Sequence, residues 1–259
     1  MSDVQVLRPL ADGIDRAAIS SVHQLRVDLA AACRMAARFD WQEAVANHFS
    51  LAVSEDGRKF LINPRWRPFS KLRASELMLL DAGAAAAPED KPVDATAWAI
   101  HGSIHALLPQ ARCVLHVHPP YATALSCLRD PRILPVDQTC ARFFNRVAID
   151  SAYAGLADHA EEGMRLAKAL GEKKILMMGN HGVITVGESV AEAFDAMYHL
   201  ERGARTLMLA YASGQALRVL PDDIAEITAL GWEDGNAFAD AHFAEMKALL
   251  DAEGADYTS

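Results

Sequence analysis

No apolar run in this 259-residue chain reaches the ~18–20 residues that a helix needs to cross a bilayer. The start of the chain also lacks a basic segment followed by an apolar one, so no secretory signal is expected. Cysteine is sparse, and Cys33, Cys113, Cys127 and Cys140 form no CxxC pair. All four stand in apolar, core-like surroundings. They read as reduced, buried thiols of a cytoplasmic protein, not as a disulfide frame. Positive charge is in deficit. With 25 Lys and Arg against 34 Asp and Glu, the net charge of −9 argues against a nucleic-acid partner. Internal repeats, long linkers and low-complexity tracts are missing too.

What remains is an ordinary globular composition. At 51% hydrophobic and 23% charged, the chain can bury a sizeable core without needing disulfides or a membrane. The pattern divides into an N-terminal arm (1–19), a main domain (20–215) and a helical C-terminal extension (216–259). Ser20 or Ser21 can cap a first helix, with Val22, Leu25, Val27, Leu29, Ala32 and Met35 recurring at roughly helical spacing. Residues 45–53 and 59–64 read as two strands about a Gly-containing turn. Asp94 caps a helix to about Leu108. A short helix follows at 121–128, then loop at 134–138 and a strand at 147–150. An amphipathic helix covers 157–170. Ser189-Val190-Ala191-Glu192 reads as a capping box opening a long helix to about Ala212. Two further helical stretches lie within 221–250.

The chemistry is concentrated around Val114-Leu115-His116-Val117-His118-Pro119-Pro120. Residues 113–117 read as a buried strand, stopped by two prolines that have no N–H to donate. Side chains on a strand alternate faces, so His116 and His118 share one. Two imidazoles on one rigid face make half of a metal site, which for catalysis takes three protein ligands and an open position. His181 is the natural third ligand. It sits in Gly179-Asn180-His181-Gly182, a Gly-flanked turn between the apolar runs 175–178 and 183–186. His101 and His105, four apart on one helical face, form an alternative pair. Gly102 stands where an HExxH motif would need its glutamate. His101 fits better as a hydrogen-bonding neighbour of the metal strand.

Two segments carry a resemblance. Residues 109–126, Pro-Gln-Ala-Arg-Cys-Val-Leu-His-Val-His-Pro-Pro-Tyr-Ala-Thr-Ala-Leu-Ser, are similar to the metal-binding segment of the class II aldolase/adducin family. Residues 180–187, Asn-His-Gly-Val-Ile-Thr-Val-Gly, are similar to its second signature. The resemblance spans roughly Leu25 to Gly214 and lies closest to the adducin-like bacterial branch. It implies an α/β fold, a three-layer α/β/α sandwich about a central, largely antiparallel sheet. It also implies a homo-oligomer, often a fourfold-symmetric tetramer, and a divalent metal on His116, His118 and His181. Zinc comes first, while iron, manganese, cobalt and nickel also suit imidazole ligation.

Three departures from the family pattern shape the expected activity. The sugar-phosphate aldolases open the first strand with Gly-Asn, whose amides hold phosphate, whereas this chain reads Asn47-His48. After the second strand they carry a glycine, whereas this chain has Arg65-Trp66-Arg67. Where they carry a glutamate for proton transfer, this chain has Ala97, which leaves the catalytic acid/base unassigned. A backbone phosphate cradle needs glycine, while an arginine fork suits a carboxylate. Arg65, Arg67, Lys71 and Arg73 read either as a solvated basic turn or as an anion-capture patch. The expectation is a metal-dependent lyase, cleaving a carbon–carbon bond or decarboxylating a small carboxylate-bearing hydroxy/oxo substrate. Asn47, His48 and Arg65 are its expected substrate contacts. The alternatives are a non-catalytic adducin-like interaction domain, or an oxygenase or isomerase on the same scaffold.

Overall fold

The computed structural model describes residues 22–259 apart from 85, 154, 157 and 234. The expected N-terminal arm, and the caps at Ser20 and Ser21, lie outside the described residues.

Helix α1 (Val22–Arg38) leads into a hairpin of β1 (His48–Ala52) and β2 (Lys59–Ile62), paired with Leu51 opposite Leu61. The apolar stretch after them is a strand, β3 (Met78–Asp81), placed at the sheet edge beside β2. Asp94 caps α2 (Ala95–Leu107) as expected, accepting from the amides of Thr96 and Ala97. Next come β4 (Cys113–Val117), α3 (Pro120–Ser126), α4 (Gln138–Ala141), β5 (Val147–Asp150) and α5 (Ala160–Leu170). Strands β6 (Ile175–Met178) and β7 (Gly182–Gly187) precede the long α6 (Val190–Ala212), and α7 (Asp222–Leu230) and α8 (Asn236–Ala252) complete the chain. Only half of the expected capping box forms at α6. Ser189 accepts from the Glu192 amide, while Glu192 reaches the amide of Glu188 instead of the cap residue.

The seven strands form one sheet in the order β3-β2-β1-β4-β7-β6-β5, antiparallel at every step except β5 with β6. Strand alternation sorts its side chains between two helical layers. Phe49, Leu51, Leu115, Val117, Met177 and Val183 face α1, α6 and α8. Val114, Leu176, Met178, Ile184 and Val186 face α2 and α5. The expected α/β/α sandwich is therefore the observed one. Helix α8 and the segment after it join the same core, since Phe243, Leu250 and Tyr257 bury beside α1 and α6.

Three thiols, Cys33, Cys113 and Cys140, are buried as expected, whereas Cys127 is exposed. Its position just past α3, beyond the two prolines, carries it out of the core. Among the described residues no helix is long and apolar enough to cross a membrane.

Candidate metal centre

Sheet register assembles the site at one end of the sheet. β1 begins there and β4 ends there, so His48 lies directly opposite His116. β7 also begins there, immediately after His181. His116, His118 and His181 each offer a ring nitrogen, and the three nitrogens lie within 4.8 Å of one another. Their ring centroids are 4.8–5.1 Å apart. The glycine after His181 makes this approach possible. A Cβ on Gly182 would stand 2.5 Å from His118 Cδ2 and 2.7 Å from the Val117 carbonyl oxygen. Asn180 supplies the left-handed turn at φ 56°, a conformation asparagine tolerates.

His116 on β4 and His118 just past its end are each oriented by a second contact. His116 Nδ1–H donates to the Val183 carbonyl at 3.1 Å, which leaves Nε2 as its free lone pair. His118 Nδ1 bonds to the Glu43 carboxylate, and its main-chain N–H donates to the Trp41 carbonyl at 3.2 Å. His118 Nε2 is then buried with no partner among the described residues. A buried, unpartnered nitrogen facing two other imidazoles is what a divalent ion would complete. Burial drives the His181 imidazole down to about 4, with His118 adding to the shift, and pushes His116 well below its ordinary range. Neutral imidazoles are the ligating form, so the donor set fits a divalent metal.

Beside this triad runs a buried hydrogen-bonded chain. The Thr96 hydroxyl donates to Asp94 Oδ1 at 2.5 Å, so its oxygen accepts from His48 Nε2–H at 3.1 Å. His48 Nδ1 then accepts from His101 Nε2–H at 2.8 Å. His101 Nδ1 accepts from the Ser50 hydroxyl, which accepts in turn from His105 Nε2–H at 2.7 Å. Burial favours the neutral form of all three imidazoles, and with each carrying one proton the Asp94 carboxylate sets the direction of every bond. Burial takes His48 to about 4 and His105 to about 3. His101 accordingly supports His48 and does not bond to a triad histidine. His101 and His105 are both committed to this chain, which removes them as a chelating pair. The His48 ring lies 5.0 Å from the His116 ring. Both of its nitrogens are engaged, so contact with a substrate would exchange the Thr96 bond.

Other polar and basic residues differ in their surroundings. Asn47, in the left-handed region at φ 72°, is buried and accepts from the Glu43 amide. The basic cluster separates. Arg67 and Arg73 pair with Glu76, whereas exposed Arg65 has no carboxylate partner among the described residues and lies 4.4 Å over the Trp66 ring. The Arg65 amide donates to Pro92, and the β1–β2 register brings this segment level with His48. Ala97 packs among Phe60, Ile62, Leu80 and Val93. Asp137 caps α4 through the Cys140 amide. Tyr153 is half exposed, with its ring 6.3 Å from His181. Glu43 escaped the sequence reading because an isolated glutamate in an irregular loop has no spacing to mark it.

A second histidine group, Asp195, His199 and His242, also lies within 4.8 Å. Its carboxylate is already engaged by cationic and imidazole donors. Arg142 donates to Oδ2 at 2.6 Å, and His242 Nδ1–H donates to Oδ1 at 2.8 Å. Burial alone would raise the Asp195 carboxyl, but bonds from His199 and His242 and the Arg142 charge hold it well below the usual range. This group is a polar latch joining α4, α6 and α8. A cavity of about 970 Å³ nearby, walled partly by α7 and α8, contains none of the triad histidines.

The description "Class II Aldolase and Adducin N-terminal domain" matches residues 27–208. The chain belongs to the class II aldolase/adducin family. It is 33% identical over 204 residues to an aldolase class 2 protein of Pseudomonas aeruginosa, covering 78% of this chain and 77% of that one. It is 28% identical to "Decarboxylase NovR" of Streptomyces niveus, over 79% and 77% of the two chains. With alpha-adducin of Rattus norvegicus it shares 34% identity over 68% of this chain but only 24% of the adducin. Two solved structures place the family fold. An aldolase II superfamily protein from Pseudomonas syringae superimposes with a TM-score of 0.84, 30% identity and 94% and 99% coverage. The L-fuculose 1-phosphate aldolase of Glaciozyma antarctica gives 0.75, 25% identity and 92% and 95% coverage.

Proposed function

We propose that the chain is a metal-dependent lyase of the class II aldolase/adducin family, acting by carbon–carbon cleavage or decarboxylation on a small, non-phosphorylated carboxylate. The observation that carries the reading is the convergence of His116, His118 and His181 with His118 Nε2 buried and unpartnered. A protein that only docked a partner would have no use for that arrangement. Bound by these three imidazoles, a divalent ion, zinc first, would supply Lewis acidity toward adjacent substrate oxygens.

The chain's own residues account for the rest. The Val183 carbonyl and Glu43 hold two of the ligating rings in one tautomer. Arg65, without an ion pair among the described residues, would offer its guanidinium fork to a carboxylate at the same sheet end. His48, its ring 5.0 Å from that of His116 and held by Thr96 and His101, and the adjacent Asn47 would contact the substrate. No carboxylate stands at Ala97 to remove a proton from carbon. Loss of carbon dioxide needs no such abstraction, which ranks decarboxylation ahead of sugar-phosphate aldol cleavage. The relative named a decarboxylase supports the same ranking.

A parallel screen of zinc-loaded protein against hydroxy-oxo acids and ketose phosphates tests this reading. Turnover of an oxo or hydroxy acid, abolished in His116→Ala and weakened in Arg65→Ala, is expected. Efficient cleavage of a ketose phosphate, unaffected by Arg65→Ala, would overturn it. The reading extends to assembly as a homotetramer, for which α7 exposes Ile224, Ile227 and Leu230. Sedimentation at micromolar concentration should give about four times the chain mass, and a monomer would refute that part.

A further inference from the structure

We infer that Glu43, with the loop 40–47 that carries it, is a positioning residue of the metal centre and sets its affinity. The inference rests on the metal reading of the three histidines and goes beyond it, since it names a residue and a loop outside both signature segments.

Four observations converge on this loop. It grips His118 twice, through the Glu43 carboxylate on Nδ1 and through the Trp41 carbonyl on the main-chain N–H. Its base is rigid. Trp41 is buried against Phe39 and Phe194, with ring centroids 5.1 Å and 5.5 Å away. Its path is costly. Asp40, Ala44 and Asn47 all have positive φ, at 59°, 53° and 72°, in a stretch with no glycine. Non-glycine residues held in the left-handed region persist where the surroundings over-determine them, and such strain gathers at functional sites. The loop is also braced against the hairpin. Asn47 Oδ1 accepts from the Glu43 amide at 2.7 Å, and the Asn47 carbonyl accepts from Asn63 Nδ2 at 3.3 Å. Gln42 accepts from the Phe69 amide at 2.6 Å.

The chemical consequence follows from the tautomer. A carboxylate on Nδ1 fixes the proton there, so the Nε2 lone pair points at the other two imidazoles, and the negative charge makes that nitrogen a better donor. Glu43 needs no contact with substrate to do this. Its side chain is largely exposed, so its conformation depends on the loop and not on burial. In this arrangement Asn47 braces the loop that presents Glu43.

The test is zinc affinity, measured by chelator competition on the full chain, for wild type, Glu43→Ala, Glu43→Gln, Glu43→Asp and a control, Glu55→Ala, in the turn at the opposite end of the sheet. Glu43→Ala should bind zinc about 10–100-fold more weakly, the range for losing such an outer partner. Glu43→Gln keeps an acceptor but not the charge and should fall between, Glu43→Asp should recover part of the loss, and the control should match wild type. In metal-free protein, nitrogen-15 NMR of His118 should show the proton on Nδ1 in wild type and a mixture of tautomers in Glu43→Ala. Equal zinc affinity and an unchanged tautomer in Glu43→Ala would overturn the inference while leaving the three-histidine site standing. So would a loss matched by a lowered melting temperature that Glu43→Asp does not relieve. Wild type that binds no zinc would instead refute the metal reading itself.

Discussion

Single residues divide into those a pattern marks and those only a fold can place. The two His on one strand were legible because alternation alone puts them on one face, and His181 because glycines flank it. Arg65 was legible only as one of four cations. The structure separates it, since Glu76 takes Arg67 and Arg73 and leaves Arg65 over Trp66. Arg65→Ala should therefore leave thermal stability within about 0.5 kcal/mol of wild type. It should raise KM for a carboxylate substrate by roughly 10–100-fold, the loss of one charge-assisted contact, and steady-state kinetics beside a melting curve check both. His105 gives a pH prediction. Its folded value is about 3, depressed chiefly by burial, against about 6.5 when unfolded. Between these values the unfolded chain binds a proton that the folded chain does not. The stabilising difference is present above pH ~6.5 and is lost as pH falls toward 3, by up to about 1.4 kcal/mol per pH unit. Urea unfolding of His105→Gln across that window should show a shallower decline than wild type.

At the level of elements, legibility followed length and capping. Asp94 and Ser189 announced α2 and α6, and long amphipathic runs tolerate no other reading. The four-residue β3 and α4 were not recognised. β3 exposes Leu79 and Asp81, so its apolar stretch lacks a clean alternation, and α4 has a single turn with too little sequence to show a period. Contacts between elements were hidden altogether. The crossing of α2 and α5 depends on Gly163, where a Cβ would lie 1.9 Å from the Ala99 carbonyl oxygen. Gly163→Ala should force the helices apart at a cost of about 1–3 kcal/mol, the usual range for overpacking, read from chemical denaturation. The opposite sign is expected at Ala44, exposed and in the left-handed region. Ala44→Gly should relieve about 1 kcal/mol of strain and raise the melting temperature.

For the whole molecule, the α/β/α arrangement was legible only through resemblance, because strand order is set by pairings that no local window contains. The joining of 216–259 to the main core was equally hidden. Its polar half is the Asp195 latch, where α8 contributes His242 to a carboxylate on α6 that also takes Arg142. Asp195→Ala should strand a largely buried guanidinium and cost about 3–5 kcal/mol. Zinc affinity should stay at the wild-type value, and comparing denaturation with a zinc titration separates the two effects. The polarity of the sheet has a further consequence, for engineering. Because β1 and β7 leave the histidine end while β4, β5 and β6 run toward it, the turns at 53–58 and 171–174 lie at the far end. Those turns are the natural places to splice in a reporter or an affinity handle. A graft after Gly57, itself at φ 77° in a tight turn, would hang one sheet length from the imidazoles, whereas the same graft after Ala44 would sever the grip on His118.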